Sequence, residues 1–479
     1  MSADGNDAGA AAKRLTLTTL IAMVVGSMVG AGVFSLPRRF ATETGVYGAL
    51  IAWAIAGTGM LMLAFVFQTL AVRKPALDSG VYAYAKAGFG EYLGFFSAFG
   101  YWASACVGNV TYWVLIMSTL GALIPGLGEG DTLLAVVLST VGIWLFAALI
   151  LRGVREATAI NKIVTVAKVI PILVFVFLAL FALDLDTFRD NFGGSGLGST
   201  FEQVRGTMLA TVFVFLGVEG ASVYSRYAQR REDVGRATVL GFLSVLSVFA
   251  SVTIVSYGIM PRSEIADLRQ PSMAGVLEEA VGGWGHAFVS IGLIVSVLGA
   301  YLAWTLMSAE VLFVAAKDHD MPRFLRRVNP AEAPAAALLM STVLVQVMLF
   351  VTLVSDDAFN LMLDLTGALT LIPFLLAAAY ALRLVVTNET YGDRPEGRSR
   401  DLAVAALATV YTTFLLFAAG PKFVLLSFVI YAPGSVLFVM TRREQGRRPF
   451  SPGEMVILVV SLVGAVVGVV ALAAGWITL

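Results

Sequence analysis

Two ionisable side chains stand where their neighbours leave no water to solvate them. Glu219 lies in Phe215-Leu216-Gly217-Val218-Glu219-Gly220-Ala221-Ser222, and Lys168 is flanked by Val166, Ala167, Val169 and Ile170. A charge at the centre of a bilayer costs roughly 2.5–3.5 kcal/mol even on the gentler insertion scales, so each group needs a partner or a change of protonation. Glu219 reads as a gating or proton-linked acid, against a neutral, hydrogen-bonded structural Glu. Lys168 either snorkels to the nearer surface or bonds carbonyls freed by a break in a neighbouring helix, where a fixed cation would replace a coupling metal ion. Trp304, beside Thr305 and Ser308, is either core packing or an indole face that gives a cationic ligand about 0.5–2 kcal/mol. Ser104 and Asn109 are either ligand contacts or helix-to-helix glue, and Asp364 and Glu310 read as interfacial acids.

A source of freed carbonyls lies near the start of the chain. Gly26-Ser27-Met28-Val29-Gly30-Ala31-Gly32-Val33-Phe34 puts three glycines and a serine inside an otherwise apolar run. A helix that unwinds in hydrocarbon must satisfy its exposed amides and carbonyls from protein, water or a ligand. The glycines around Glu219 make the same interruption in a later run. Paired interruptions at corresponding places are the sequence pointer to an inverted-repeat transporter with its site at the midplane. Other features recur about half a chain apart: Tyr101 and Trp102 against Tyr301 and Trp304, and Thr165 with Pro171 against Thr366 with Pro373.

The elements that must hold these residues are apolar spans. Of 479 residues, 58% are hydrophobic and 13% charged, and the apolar runs repeatedly reach the roughly 20 residues that cross a bilayer. Thirteen spans are expected, from Leu15–Leu36 to Met455–Leu479, the sixth at Gly206–Tyr224 and the eleventh and twelfth at Leu402–Ala419 and Phe423–Met440. With a cytoplasmic N-terminus, 24 of the 32 Lys and Arg residues fall in inside segments. Only Arg38, Arg39, Arg189, Arg205, Arg262, Arg269 and Lys422 fall outside, with Lys168 left within a span. That asymmetry sets the N-terminus inside and the C-terminus outside.

Composition also narrows the chemistry. The lone Cys106 excludes a disulfide within the chain and a thiolate cluster, and His286 and His319 are too far apart to indicate a metal site. No cofactor is expected. A membrane-embedded enzyme would need acids, histidines or a metal set clustered at one depth, and no such cluster is read. Residues 1–14 read as a small, polar cytoplasmic tail. Gly193-Gly194-Ser195-Gly196-Leu197-Gly198 looks superficially like a phosphate loop, but it lacks a following Lys and is expected to be a flexible external connection.

Through these residues the chain resembles the amino acid, polyamine and organocation transporter superfamily, and within it the basic amino acid/polyamine antiporters, most closely the bacterial arginine/ornithine antiporters. The motifs are GSMVGAGVFSLP, SGVYAYAKAGFGEYLGFFSAFGYW followed by CVGN, FLGVEGASV, and WTLMSAE followed by VAAKDHDMPRF. The resemblance implies an all-α, LeuT-like five-plus-five inverted repeat with discontinuous helices 1 and 6. Its repeats would be residues 15–183 and 184–386, with extra C-terminal helices in 387–479. It implies that the amides of Ala31 and Gly32 meet a substrate carboxylate, and that carbonyls near Met28, Phe213 and Leu216 meet its α-ammonium. Trp304 would stack on a cationic side chain, Ser104, Ala105, Asn109 and Thr366 would surround its distal end, and Glu219 with Tyr101 would form part of a gate. Lys168 matches a Lys of proton-coupled or sodium-independent relatives. Two positions depart from the pattern: the usual Gly-Ser-Gly of the break is Gly30-Ala31-Gly32, and Phe213 stands where arginine/agmatine exchangers carry Trp.

The function so implied is alternating-access exchange of cationic amino acids, most closely arginine for ornithine, in a bacterial inner membrane. A proton-coupled importer is the alternative. The partners expected are small cationic amino acids and the lipid bilayer, with no nucleic acid; a homodimer is left open.

Overall fold

The structure is a computed structural model that describes residues 16–77, 81–153, 155–219, 231–392 and 395–479, excluding the side chains of 155–167 and 231–234. The tail 1–14, Gly220-Ala221-Ser222 of the second interruption and the Thr165 side chain therefore lie outside the described residues.

Among the described residues the regular structure is helical. Thr16 caps the first helix, α1 (Leu17–Met28), by accepting from Thr19 N. The chain then leaves helical geometry at Val29 (φ −72°, ψ 102°), resumes as a 3-10 turn over Gly32–Ser35 and continues as α2 (Leu36–Glu43). The two limbs are bent by 52°. Expected as a loosening across Gly26–Phe34, the break is narrower, because α1 keeps its hydrogen bonds as far as Val29 N to Val25 O at 2.9 Å.

Next come α3 (Val46–Arg73), the short connector α4 (Val81–Phe89), α5 (Glu91–Gly121), α6 (Leu133–Arg152) and α7 (Arg155–Ala182). A short α8 (Leu185–Asp190) precedes α9 (Thr200–Val214), whose start carries a capping box between Ser199 and Glu202. After it lie α10 (Arg231–Ser256), the short α11 (Arg262–Asp267) and α12 (Ser272–Val281), then α13 (Gly283–Lys317), α14 (Ala335–Val351) and α15 (Ala358–Val386). Last are α16 (Arg398–Glu444), which breaks at Gly420 (φ 70°, ψ 172°), and α17 (Pro452–Ala473), closed at its start by a Ser451–Glu454 capping box.

Nine helices among the described residues are long and apolar enough to cross a membrane, ten with the bent pair α1–α2 counted as one span. Two of the other expected spans correspond to the shorter Lys168–Ala182 stretch and to α9, which ends at Val214 rather than continuing to Tyr224. The eleventh and twelfth expected spans are the limbs of α16 on either side of Gly420.

α5 is the centre of the bundle, with 94% of its apolar window buried, whereas α17 has 17% buried and presents a valine-rich face outward. Helices in lipid gain little from hydrophobic exclusion and associate by close packing and polar contacts. At Gly100 of α5, any side chain would collide with the Tyr431 hydroxyl, which itself donates to Leu369 O at 3.1 Å. Three helices meet there because one residue has no side chain. Just before the 193–198 stretch, Val46 N and Tyr47 N donate to Asn191 O (3.1 Å) and Phe192 O (3.0 Å), and within it Gly194 packs against Gly45.

One ion pair is buried on both sides. Arg39 Nη2 of α2 donates to Asp364 Oδ1 of α15 at 2.7 Å, with the two side chains 8% and 12% exposed. Asp364, expected to be an interfacial charge, instead ties α2, the second limb of the bent helix, to α15. Removing one partner of such a pair leaves a buried, uncompensated charge, at a cost of about 3–5 kcal/mol, whereas an apolar replacement of both is near neutral. Arg39→Met is therefore expected to lower the thermal unfolding transition of the detergent-purified protein strongly, and Arg39→Met/Asp364→Leu to recover most of the loss.

Candidate functional site

The break in α1 opens onto a cavity of about 760 Å³. Its wall runs down α1 as far as Thr19 and Ala22, through Val29, Gly30 and Ala31, and stops at Val33 on the far side. Ser104, Ala105, Gly108 and Tyr112 of α5 contribute, with Lys168 of α7, Phe213, Val214 and Leu216 at the end of α9, Phe249 of α10, Ala300, Trp304 and Met307 of α13, and Thr366 of α15. The space thus extends along the N-terminal limb of the bent helix, while the other limb is held shut against α15 by Arg39 and Asp364.

The break has its own hydrogen-bond accounting. In a continuous helix Gly30 N–H would bond Gly26 O; here Gly26 O accepts from Lys168 Nζ at 2.5 Å. Lys168 is 6% exposed, so its ammonium sits on the freed carbonyl rather than at a surface. The N–H groups of Gly30 and Ala31 find no acceptor among the described residues. Unpaired amides at the start of a helical limb form an anion-seeking end, and the last carbonyls of a limb a cation-seeking one.

The second break abuts the first. α9 ends at Val214, and Phe215 and Leu216 turn with bonds from Phe215 N to Val212 O (3.2 Å) and Leu216 N to Phe213 O (3.3 Å). Ser27 Oγ donates to Gly217 O at 3.1 Å. Gly217 adopts φ +101°, and a Cβ there would collide with Ser27 O, so glycine is required by conformation and by contact together. Gly217 N donates to Glu219 Oε2 at 3.1 Å, and Tyr101 Oη hydrogen-bonds to Glu219 Oε1. The same hydroxyl lies 3.4 Å from Met307 Sδ, which puts the Tyr101–Glu219 pair behind the cavity wall rather than in it.

Met28, Ala31, Gly32, Ser104, Ala105, Phe213, Leu216, Trp304, Thr366 and Lys168 all line the cavity. Asn109 does not: its Nδ2 donates to Thr305 Oγ1 at 3.2 Å, joining α5 to α13. The helical turn explains this. With Ser104 as origin and about 100° per residue, Ala105, Gly108 and Tyr112 fall within roughly 100° of arc, while Asn109 lies at about 140°. That four-residue spacing was the available signal for Tyr112 and Gly108, which the motif reading missed. Met307, one turn beyond Trp304, was missed in the same way.

Comparison with known proteins gives a consistent result. Residues 15–441 match the family model for amino acid permease. The chain is 48% identical over 476 residues to an arginine/ornithine antiporter of Pseudomonas aeruginosa, covering 98% of this chain and 99% of that one. It is 40% identical to an L-lysine transport protein of Corynebacterium glutamicum, over 100% and 99% of the two chains. Against a putative arginine/ornithine antiporter of Escherichia coli K12 the identity is 41%, over 95% and 98%.

Lys168→Met keeps the length of the side chain but leaves Gly26 O unpaired in a buried setting, which typically costs about 1–3 kcal/mol. The variant is expected to insert normally and to unfold at a lower temperature in detergent. An unchanged transition would mean that the Gly26 bond adds nothing to stability.

Proposed function

Since the chain belongs to the amino acid permease family, we propose that it exchanges cationic amino acids across the cytoplasmic membrane by alternating access, with arginine and ornithine as the pair. The observation that carries this reading is the junction of two broken helices on one cavity whose wall also bears Trp304. A zwitterionic head group suits such a junction. Its carboxylate would meet the free amides at Gly30 and Ala31, and its α-ammonium the carbonyl ends near Met28, Phe213 and Leu216. The distal cation would lie against the Trp304 indole, bordered by Ser104, Ala105 and Thr366.

In this reading Lys168 holds the break with a built-in cation, and Tyr101 with Glu219 forms a gate behind Leu216 and Met307. Exchange of two monocations moves no net charge, so the concentration ratios of the two substrates set its direction. The charge asymmetry of the loops supports a cytoplasmic N-terminus and an outside C-terminus. With that orientation the cavity, which runs along α1, faces the cytoplasm, and the Arg39–Asp364 pair closes the outer side.

In proteoliposomes, labelled arginine uptake is expected to require ornithine or arginine inside. Uptake into empty vesicles driven by a pH gradient would replace exchange with proton-coupled import. A cation–π contact contributes about 0.5–2 kcal/mol, so Trp304→Ala is expected to weaken the apparent arginine affinity roughly twofold to thirtyfold. An unchanged affinity would remove Trp304 from the side-chain site.

A further inference from the structure

Tyr112 presents a polar group that the fold leaves unused. Its side chain is 5% exposed, and its hydroxyl has no hydrogen-bond partner among the described residues. Buried tyrosine hydroxyls are ordinarily paired, as Tyr92 is with Ser435 Oγ, Tyr257 with Thr44 O and Tyr431 with Leu369 O; Tyr411 Oη is also unpaired but does not line the cavity. Tyr112 is directed into the cavity instead, and a Cβ built on Gly30 would stand 3.7 Å from its Oη. The hydroxyl is therefore beside the stretch whose two amides also lack acceptors. Ala31, in the middle of that stretch, brings no side-chain donor of its own.

Two N–H groups and one O–H without acceptors, on neighbouring residues that line the same cavity, can together form a three-donor receptor. Donors without acceptors in a low-dielectric site are matched by an anion, and a planar carboxylate can accept from all three. A cationic group could use the oxygen of that hydroxyl but neither of the two amides. We infer that Tyr112 is a specificity-determining residue: its hydroxyl donates to the substrate carboxylate beside the Gly30–Ala31 amides, and so selects α-amino acids over the corresponding decarboxylated amines. The inference rests on the exchange reading for the presence of an amino acid and adds the residue that reads its carboxylate.

The test uses full-length wild-type protein and Tyr112→Phe, which keeps the ring and removes only the donor. Each is reconstituted, and labelled exchange of the carried amino acid is competed with that amino acid and with its decarboxylated amine, agmatine in the case of arginine. A hydrogen bond to a charged group is worth roughly tenfold to hundredfold in affinity. Tyr112→Phe is expected to lose that factor for the amino acid and to change by less than about twofold for the amine, so the selectivity ratio collapses within one preparation, whatever the yield of folded protein. Equal losses for both ligands, or no loss for either, would overturn the inference. Wild-type protein that exchanges lysine or another α-amino acid but not arginine would overturn the arginine/ornithine assignment alone, and the Tyr112 ratio would be scored with the amino acid that is carried.

Discussion

Everything in this molecule is arranged around the rule that a backbone group inside a membrane cannot be left to water. The bent first helix breaks that rule on purpose, and the surrounding structure shows how the debt is divided. One freed carbonyl, Gly26 O, is settled permanently by Lys168 from another helix. A second helix end is settled by contact, with Ser27 reaching Gly217 O across the two breaks. The amides of Gly30 and Ala31 remain open toward the cavity. Donors kept in reserve cost stability in the empty protein, and that cost is recovered when a ligand accepts from them.

The rest of the fold divides into parts that hold and parts that face lipid. α5, almost wholly buried, carries cavity residues on one arc and bonds to the scaffold on another: Asn109 reaches Thr305, and Trp102 Nε1 donates to Ser341 Oγ at 2.8 Å. Near its N-terminal end, Glu91 is 2.8 Å from Arg442 of α16, which also pairs with Glu454 at the start of α17. The outermost helix is thereby fastened to the innermost by charges at one end of the bundle, not by the apolar face it offers to lipid.

Much of this was legible in the residues themselves. Glycines in an apolar run announced both breaks, because no other residue tolerates the φ of +101° at Gly217 or its approach to Ser27. Trp304, Lys168 and Ser104 were readable as polar or aromatic exceptions in apolar surroundings, whereas Ala105 came only with the family resemblance. Three things were not. Asn109 turns away from the cavity by a fraction of a helical turn, a difference that depends on where α5 meets α13. Tyr112 was not singled out, since only its neighbours reveal that its hydroxyl lacks a partner. Asp364 looked interfacial because its partner, Arg39, lies 325 positions away in the chain. Local pattern shows that an element exists and which way it is patterned; long-range partners decide what each side chain meets.

The contact between Ser27 and Gly217 has a mechanical consequence. The Ser27 hydroxyl bonds Gly217 O, and the missing side chain of Gly217 lets the two backbones approach each other at this point. In the exchange proposed above, a tilt of the first broken helix would press directly on the second. Glu219, bonded to the backbone of Gly217, belongs to the second break, while Tyr101 belongs to the helix at the centre of the bundle. Their hydrogen bond therefore joins the junction of the broken helices to the bundle's centre, and in the exchange proposed above it would have to be broken and remade as the two parts shift.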